Sequence, residues 1–308
     1  ELNSQCAISD KKCKPPIGSL PSFNKNLGYY AKQSEQPSPA LRVDQVPADA
    51  AYLLRSRFAY LNKSQWQQII AGTAYPTNSL AGWGVKQNQP ESHWGLINLP
   101  KAYKGPTQLA EDWVVNQRVT QDDVANVGIA DTWSNNIEGK GRLIKQGEGT
   151  LTLTGTNRFA GLDIQQGRVV LTQENHLTGP VNVNGGKLEV KHILHAPVDV
   201  TNGTLQLTHS IKNTVTLNQG ARFIAHGTVD DLVVNSGAIL TPGDDTKDPT
   251  RSITVNNTTT FQPGSEFHVS IQATDIQEFD ALQSSGTVTI NGGKVKVFFA
   301  EKSLPFNE

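Results

Sequence analysis

The chain has 308 residues, 36% of them hydrophobic and 18% charged, with a formal net charge of −1. That balance excludes a general polyanion-binding surface, so no nucleic-acid partner is expected, and no stretch approaches the roughly 18 uninterrupted apolar residues of a membrane-spanning helix. The 27 glycines, with abundant Asn, Gln and Thr, suit many short strands joined by turns.

The chain opens at Glu1 without a signal-peptide pattern and contains no Met. It is therefore expected to be a piece excised from a longer product, the alternative being a short protein trimmed at its initiator. Its two cysteines, Cys6 and Cys13, have six residues between them and are followed by Pro15 and Pro16. In an oxidising compartment they are expected to close a small structural disulfide loop; in a cytosolic one they would be two thiols. A zinc site would need partners, and no His lies nearby.

Pro and Lys crowd residues 11–21. A first helix is expected from Val46: Pro47 suits a first turn, and Ala48, Ala51, Leu54 and Phe58 share a stripe. A second starts near Asn62 or Ser64 as cap, carries Trp66, Ile69 and Ile70, and stops before Pro76. A third, short helix follows Asn98. Residues 107–130 are expected to be a linker.

Beyond the linker a period of seventeen emerges. Gly186, Gly203, Gly220 and Gly237 are each 17 apart. In the same register stand Val181, Val198, Val215 and Leu232, then Val183, Val200, Leu217 and Val234, then Leu177, Leu194 and Ile211, where Thr228 is the fourth member. After the glycines come Leu188 and Val190, then Leu205 and Leu207. Each unit therefore has two period-2 strands with a Gly between them and a short third apolar step. One unit cannot bury its apolar face alone; stacking at about 4.8 Å makes a continuous core, which is a parallel β-helix. The expected inward core is Val181, Val183, Leu188, Val198, Val200, Leu205, Val215, Leu217, Leu232 and Val234. Unequal turns are anticipated: Arg222 occupies the place of Leu205, so Phe223 shifts the strand by one. Leu162 and Ile164 precede Val181 and Val183 by 19, and Leu151 and Leu153 precede Val169 and Leu171 by 18. A helical reading fails on the spacing of 2 and on the β-branched content, and a sandwich or up-and-down barrel would not give a fixed period with three apolar steps.

The series Asp131-Thr-Trp-Ser-Asn-Asn-Ile137, Gly139-Lys-Gly-Arg-Leu143, Lys145-Gln-Gly-Glu-Gly-Thr-Leu-Thr-Leu-Thr-Gly155 and Gly161-Leu-Asp-Ile-Gln-Gln-Gly167 resembles the opening of bacterial autotransporter passengers. Phe261-Gln-Pro-Gly-Ser-Glu-Phe-His-Val269, Asp280-Ala-Leu282, Ser285-Gly-Thr-Val-Thr-Ile290 and Gly292-Gly-Lys-Val-Lys-Val297 resemble the last rungs of that family. The resemblance implies a right-handed, three-faced parallel β-helix, mainly β, preceded by a small helical segment, with rungs over 131–262 and terminal rungs over 263–308. It also implies export through the periplasm and a C-terminal outer-membrane β-barrel, absent from this chain. Localisation is then secreted or at the surface of a Gram-negative cell, with cell-surface contacts as further partners. Glu308 falls where a released or cut passenger is expected to end.

Residues 1–106 resemble the tail of type 2 phosphatidic-acid-phosphatase-like acid phosphatases fused to autotransporters. The matching residues are Cys6 and Cys13, Tyr29-Tyr30, Val46-Pro-Ala-Asp-Ala50, Leu53-Leu-Arg-Ser-Arg-Phe58, Tyr60-Leu61, Gln65, Thr73-Ala-Tyr-Pro76 and Trp94-Gly-Leu-Ile-Asn-Leu99. On this reading 1–106 is the helical tail of a catalytic segment preceding Glu1, itself a partner. The same stretch resembles the end of autotransporter subtilases, which carry a Trp-Gly-Leu-Asn-Leu run and a Gly-Pro like Gly105-Pro106. A β-helix adhesin is the third reading.

The chemistry such enzymes need is not intact. The phosphatase motifs supply Lys and Arg against phosphate oxygens, one His as nucleophile and another as acid. Of the motifs Lys-x6-Arg-Pro, Pro-Ser-Gly-His and Ser-Arg-x5-His-x3-Asp none is intact: Ser56-Arg57 is followed six residues later by Lys63, not His, and Pro90-Glu-Ser-His93 lacks the Gly. Ser56 and Arg57 are expected on a helix surface, and His93 in a loop. Gly72-Thr-Ala74 lacks the Ser of a subtilase nucleophile. The remaining histidines, 176, 192, 195, 209, 226 and 268, fall on the solenoid. His192 and His195, three apart, are weighed as zinc ligands against a solvated corner, and Asp244, Asp245 and Asp248 as a calcium loop without the glycine-rich repeat of calcium-binding β-rolls. Trp83, Trp94 and Trp113 are expected to pack the first segment on the solenoid. No catalytic residue, cofactor or metal is assigned.

Overall fold

A computed structural model describes residues 48–74, 97–118, 130–243, 252–271 and 280–299. Cys6, Cys13, Pro76, Trp83, His93, Trp94 and the acidic loop of Asp244, Asp245 and Asp248 lie outside the described residues.

The described strands stack in parallel into three sheets of two, nine and twelve strands. One coil shows how the alternation makes the fold. β9 (Val181–Val183), β10 (Lys187–Val190) and β11 (Ile193–Leu194) are three sides of one turn. β9 continues the larger sheet, pairing Val181 with Leu162 and with Val198. β10 lies in the nine-stranded sheet between Val169 and Leu205. β11 pairs Leu194 with Ile211. Val181, Val183, Leu188, Val198, Val200, Leu205, Val215, Leu217, Leu232 and Val234 are each at most 1% exposed. They belong to one apolar column running from Leu54 to Phe261. This is a parallel β-helix preceded by a small helical segment.

The unequal turns are where the spacing placed them. Leu151 pairs with Val169, Leu162 with Val181, and Leu205 with Phe223. The third side departs from the expected register. Ile211 stacks on Val229, because the pairing shifts between Ile211 and Thr214, and Thr228 meets Ser210. The corner after β9 also varies. Gly186 has φ of +64°, and an added Cβ would stand 2.3 Å from the carbonyl oxygen of Gly167. One coil later Asn202 takes the left-handed turn (φ 51°) in place of Gly203, a conformation its short polar side chain tolerates.

Two expected boundaries change. Residues 107–130 are in part a rung: β1 (Gln108–Leu109) pairs with Glu138 and Gly139, and β2 (Trp113–Asn116) pairs with residues 143–146. Trp113 and Val115 alternate inward like any other coil, and Trp113 is 1% exposed. The division between 262 and 263 has no counterpart, since β17 (Ile239–Pro242) pairs directly with β20 (Glu266–Ile271), and β20 with β23 (Lys294–Phe299).

The helical segment comprises α1 (Ala48–Arg57), α2 (Lys63–Thr73) and α3 (Leu99–Ala102). α2 opens with a capping box: the Asn62 side chain accepts from the Gln65 amide while the Gln65 side chain accepts from the Asn62 amide, both at 2.9 Å. These helices belong to the solenoid. Leu54, Phe58 and Ile69 are fully buried in the same cluster as Trp113, Trp133 and Leu143, and Trp66 packs against that cluster. The Gln65 side-chain Nε2 donates to the Val114 carbonyl at 2.9 Å, and the Trp113 indole donates to Gln68 at 3.2 Å. The apolar faces of α1 and α2 cover the first coil. The physical need is plain. A stack of parallel coils ends in an open core and unpaired strand edges, which must be covered.

Candidate functional site

Three polar constellations stand out. The first joins the helices to the coils. Arg57, expected on a helix surface, reaches Asp131 at 2.5 Å, with side chains 11% and 4% exposed. Its guanidinium also donates to the Thr132 carbonyl at 3.3 Å and lies over the rings of Phe58 and Tyr103. Tyr60 donates to the other oxygen of Asp131 and accepts from the Trp133 indole at 3.0 Å. Burial, reinforced by Asp131, holds the Tyr60 phenol well above its usual range. Burial acts against the charge on Arg57, but the hydrogen bond and charge of Asp131 outweigh it, so its pKa is raised. This network has the character of a buried structural pair, with Arg57 and Tyr60 both aimed at the Asp131 carboxylate.

The second is Lys145, fully buried on the inward register beside Leu143. Its ammonium donates to the carbonyls of Gln146 at 2.8 Å, Gly147 at 2.7 Å and Gln166 at 3.4 Å. Burial pushes its pKa down to about 8. A cation in a cage of carbonyls from two successive corners fastens one coil to the next.

The third lies on the turn that follows the nine-stranded sheet. Asn175 points inward, 1% exposed, so its neighbours Glu174 and His176 point outward. On the next coil His195 stands beside them. Nε2 of His176 is 3.0 Å, and Nε2 of His195 2.8 Å, from the same Glu174 oxygen. The two imidazoles stack with centroids 4.0 Å apart and planes 9° apart. The Glu174 carboxyl is held below its usual range, chiefly by the His195 hydrogen bond and further by His176, against a small opposing effect of burial. The backbone beneath is pinned. Asn157 donates to Asn175 at 2.6 Å, Asn175 donates to the Gln173 carbonyl at 2.6 Å, and the amides of His176 and His195 each bond the adjacent coil at 2.8 Å.

The sequence-level pairing of His192 with His195 is therefore not what the fold brings together. His192 stacks on His209, 5.1 Å between centroids, and His195 on His176. Glu174 was missed. The signal was present, because 19 residues separate His176 from His195 just as 19 separate Leu162 from Val181. Of the other solenoid histidines, His268 bonds Glu266 at 2.7 Å. Among the described residues Glu174, His176 and His195 are the group whose ligand atoms converge, all within 4.8 Å of one another. Trp113 does pack the helices on the solenoid, edge-on to Trp133 with ring centroids 6.3 Å apart.

Residues 143–171 and 166–190 match the passenger-associated-transport-repeat family. The chain is 30% identical over 201 residues to the serotype-specific antigen 1 of Mannheimia haemolytica, a match covering 61% of this chain and 19% of that protein. It is 29% identical over 162 residues to an extracellular serine protease of Serratia marcescens, covering 44% of this chain and 15% of that one. A second extracellular serine protease of the same organism is 27% identical over 133 residues. The chain spans less than a fifth of each of these relatives. A parallel β-helix bearing these repeats is an autotransporter passenger structure, and its place is outside the cell, secreted or on the surface of a Gram-negative bacterium.

Proposed function

We propose that this chain is the β-helical stem of an exported passenger whose hydrolytic segment is encoded elsewhere in the same precursor. A C-terminal outer-membrane β-barrel of that precursor would carry it out, and the stem would hold the enzyme at a fixed distance from the membrane. The observation that carries the reading is the similarity to two extracellular serine proteases, each far longer than the matched region. The stem's chemistry agrees with a supporting role: its buried ionic groups, Arg57 with Asp131 and Lys145 with its carbonyls, are consumed by structural bonds, and Gly72-Thr73-Ala74 offers no serine nucleophile.

A serine protease is the form of this proposal that the relatives favour. The acid-phosphatase form rests on the resemblance of residues 1–106, including the Cys6 and Cys13 pair, a proposed disulfide. Docking of α1 and α2 on the first coil removes the need for another segment to bury Leu54, Phe58 and Ile69. The experiment separates the forms. Secreted fractions of the parent organism are probed with a fluorophosphonate, which labels active serine hydrolases, and with a chromogenic phosphomonoester. Labelling of a polypeptide that antibodies to this stem also precipitate supports the protease. Phosphomonoester hydrolysis that tracks the same polypeptide replaces it with the phosphatase. A stem-bearing polypeptide with neither activity overturns the hydrolase proposal and leaves the adhesin.

A further inference from the structure

We propose that Glu174, His176 and His195 form a binding site for a divalent transition-metal ion that clips two successive coils of the β-helix together. Two residues come from one coil and the third from the next, so an ion held by all three bridges the stack. The donor set is two imidazole nitrogens and one carboxylate, with ligand atoms within 4.8 Å of one another. That set suits zinc, nickel or copper, whereas magnesium and calcium want oxygen ligands throughout. Three protein ligands leave positions for water, as the half-exposed side chains allow.

The hydrogen bonds already present describe the site before an ion enters. Both Nε2 atoms aim at one Glu174 oxygen, at 3.0 and 2.8 Å. A metal takes the place of the protons in those two contacts: each imidazole offers its Nε2 lone pair as the neutral Nδ1–H tautomer, the Nε2 proton passing by way of solvent to Nδ1, or leaving to solvent where the ring was an imidazolium. Metal–nitrogen bonds are about 2.0–2.1 Å. The nearly parallel rings, 9° apart, must therefore tilt toward each other, because lone pairs that run parallel do not meet at one point. That rotation occurs at the side chains, on a half-exposed turn, and leaves the pinned backbone in place.

The backbone is what makes the site more than two neighbouring histidines. Asn175 sits between Glu174 and His176, buried, and its carbonyl accepts from the His195 amide at 2.8 Å. The three ligand positions are thus fixed relative to one another by a ladder bond. A ligand set held by the scaffold loses less entropy on binding than one gathered from a loop. The stacked pair His192 and His209 on the same side of the coils has no carboxylate in the converging group and serves as an internal control.

The test uses the full 308-residue chain without a histidine tag, stripped with a chelator. Zinc binding is measured by titration calorimetry, and thermal unfolding is followed with and without zinc, with magnesium as comparison. The expected result is one zinc per chain and a rise in Tm of about 5–10 °C at roughly 100 times Kd, with no response to magnesium. H176Q and H195Q each weaken zinc binding at least ~10-fold, while H192Q leaves it unchanged. Far-UV circular dichroism and the metal-free Tm show that each variant is folded. No saturable binding by roughly 1 mM zinc, or a loss in H192Q as large as in H176Q, would overturn the proposal.

Discussion

Removing the guanidinium of Arg57 tests whether the helices are part of the solenoid. In Arg57→Ala the Asp131 carboxylate, 4% exposed, keeps only the Tyr60 hydroxyl and its own neighbouring Thr132 amide, 2.6 Å away. Breaking a buried pair from one side costs about 3–5 kcal/mol. The two contacts over Phe58 and Tyr103 add roughly 0.5–1 kcal/mol each, and the surviving bonds to Asp131 offset part of the total. The expected loss is about 4 kcal/mol, or roughly 8–15 °C in Tm for a cooperative unit of this size. In the cycle with Asp131→Asn, the double variant recovers part of the loss, because the orphaned charge is gone; the coupling is about 2–3 kcal/mol. Chemical denaturation followed by tryptophan fluorescence reads it, since Trp113 and Trp133 lie at the junction. An Arg57→Ala protein within about 0.5 kcal/mol of the parent would refute the reasoning.

Other expectations follow from the coils. Val200→Asp, between Val183 and Leu217 in the core, costs about 4–6 kcal/mol through lost burial and an unpaired polar group, while Asp199→Val next to it, on the outward side, stays within roughly 1 kcal/mol; equal melting of both variants would contradict the inward assignment. Lys145→Met leaves three corner carbonyls without their donor and costs about 2–4 kcal/mol by urea unfolding. Asp163 gives a pH signature. Burial opposes its charge, but the bonds from Arg142 at 2.7 and 2.8 Å and from Asn182 at 2.6 Å outweigh burial, so its pKa is lowered. Its contribution is therefore present above the unfolded carboxylate value near 3.9 and lost as pH falls through the lower folded value. Asp163→Asn, costing about 1 kcal/mol at neutral pH after screening, should show a shallower loss of stability below pH ~4 than the parent; parallel acid unfolding curves would count against it.

How far the sequence could be read depended on whether the signal was local or came from stacking. The period-2 strands and the 17-residue step exposed the coils, and even the irregular steps at Leu162 and Phe223 were visible, because a substituted apolar position leaves a gap that its neighbour fills. The first coil was not visible. Trp113 and Val115 make a strand too short for alternation to stand out, and its meaning comes from pairing with Leu143, thirty residues on. The shift at Val229 depends on an irregularity between Ile211 and Thr214 that spacing alone does not reveal. Arg57 looked like a surface residue because a helix pattern cannot show what covers it, and Asp131 is 74 residues away. Glu174, His176 and His195 were separated by reading along the chain, whereas the fold reads across it, coil to coil.

The measurement closest to the central claim, that the helices and the coils form one folded unit, is native-state hydrogen exchange on the full chain, read by mass spectrometry. Amides of Ala48–Arg57 and Lys63–Thr73 should show opening free energies that match those of Trp113–Asn116 and Arg142–Gln146, and should fall together with them in Arg57→Ala. Helices that exchange near the intrinsic rate while those strands stay protected would contradict the account.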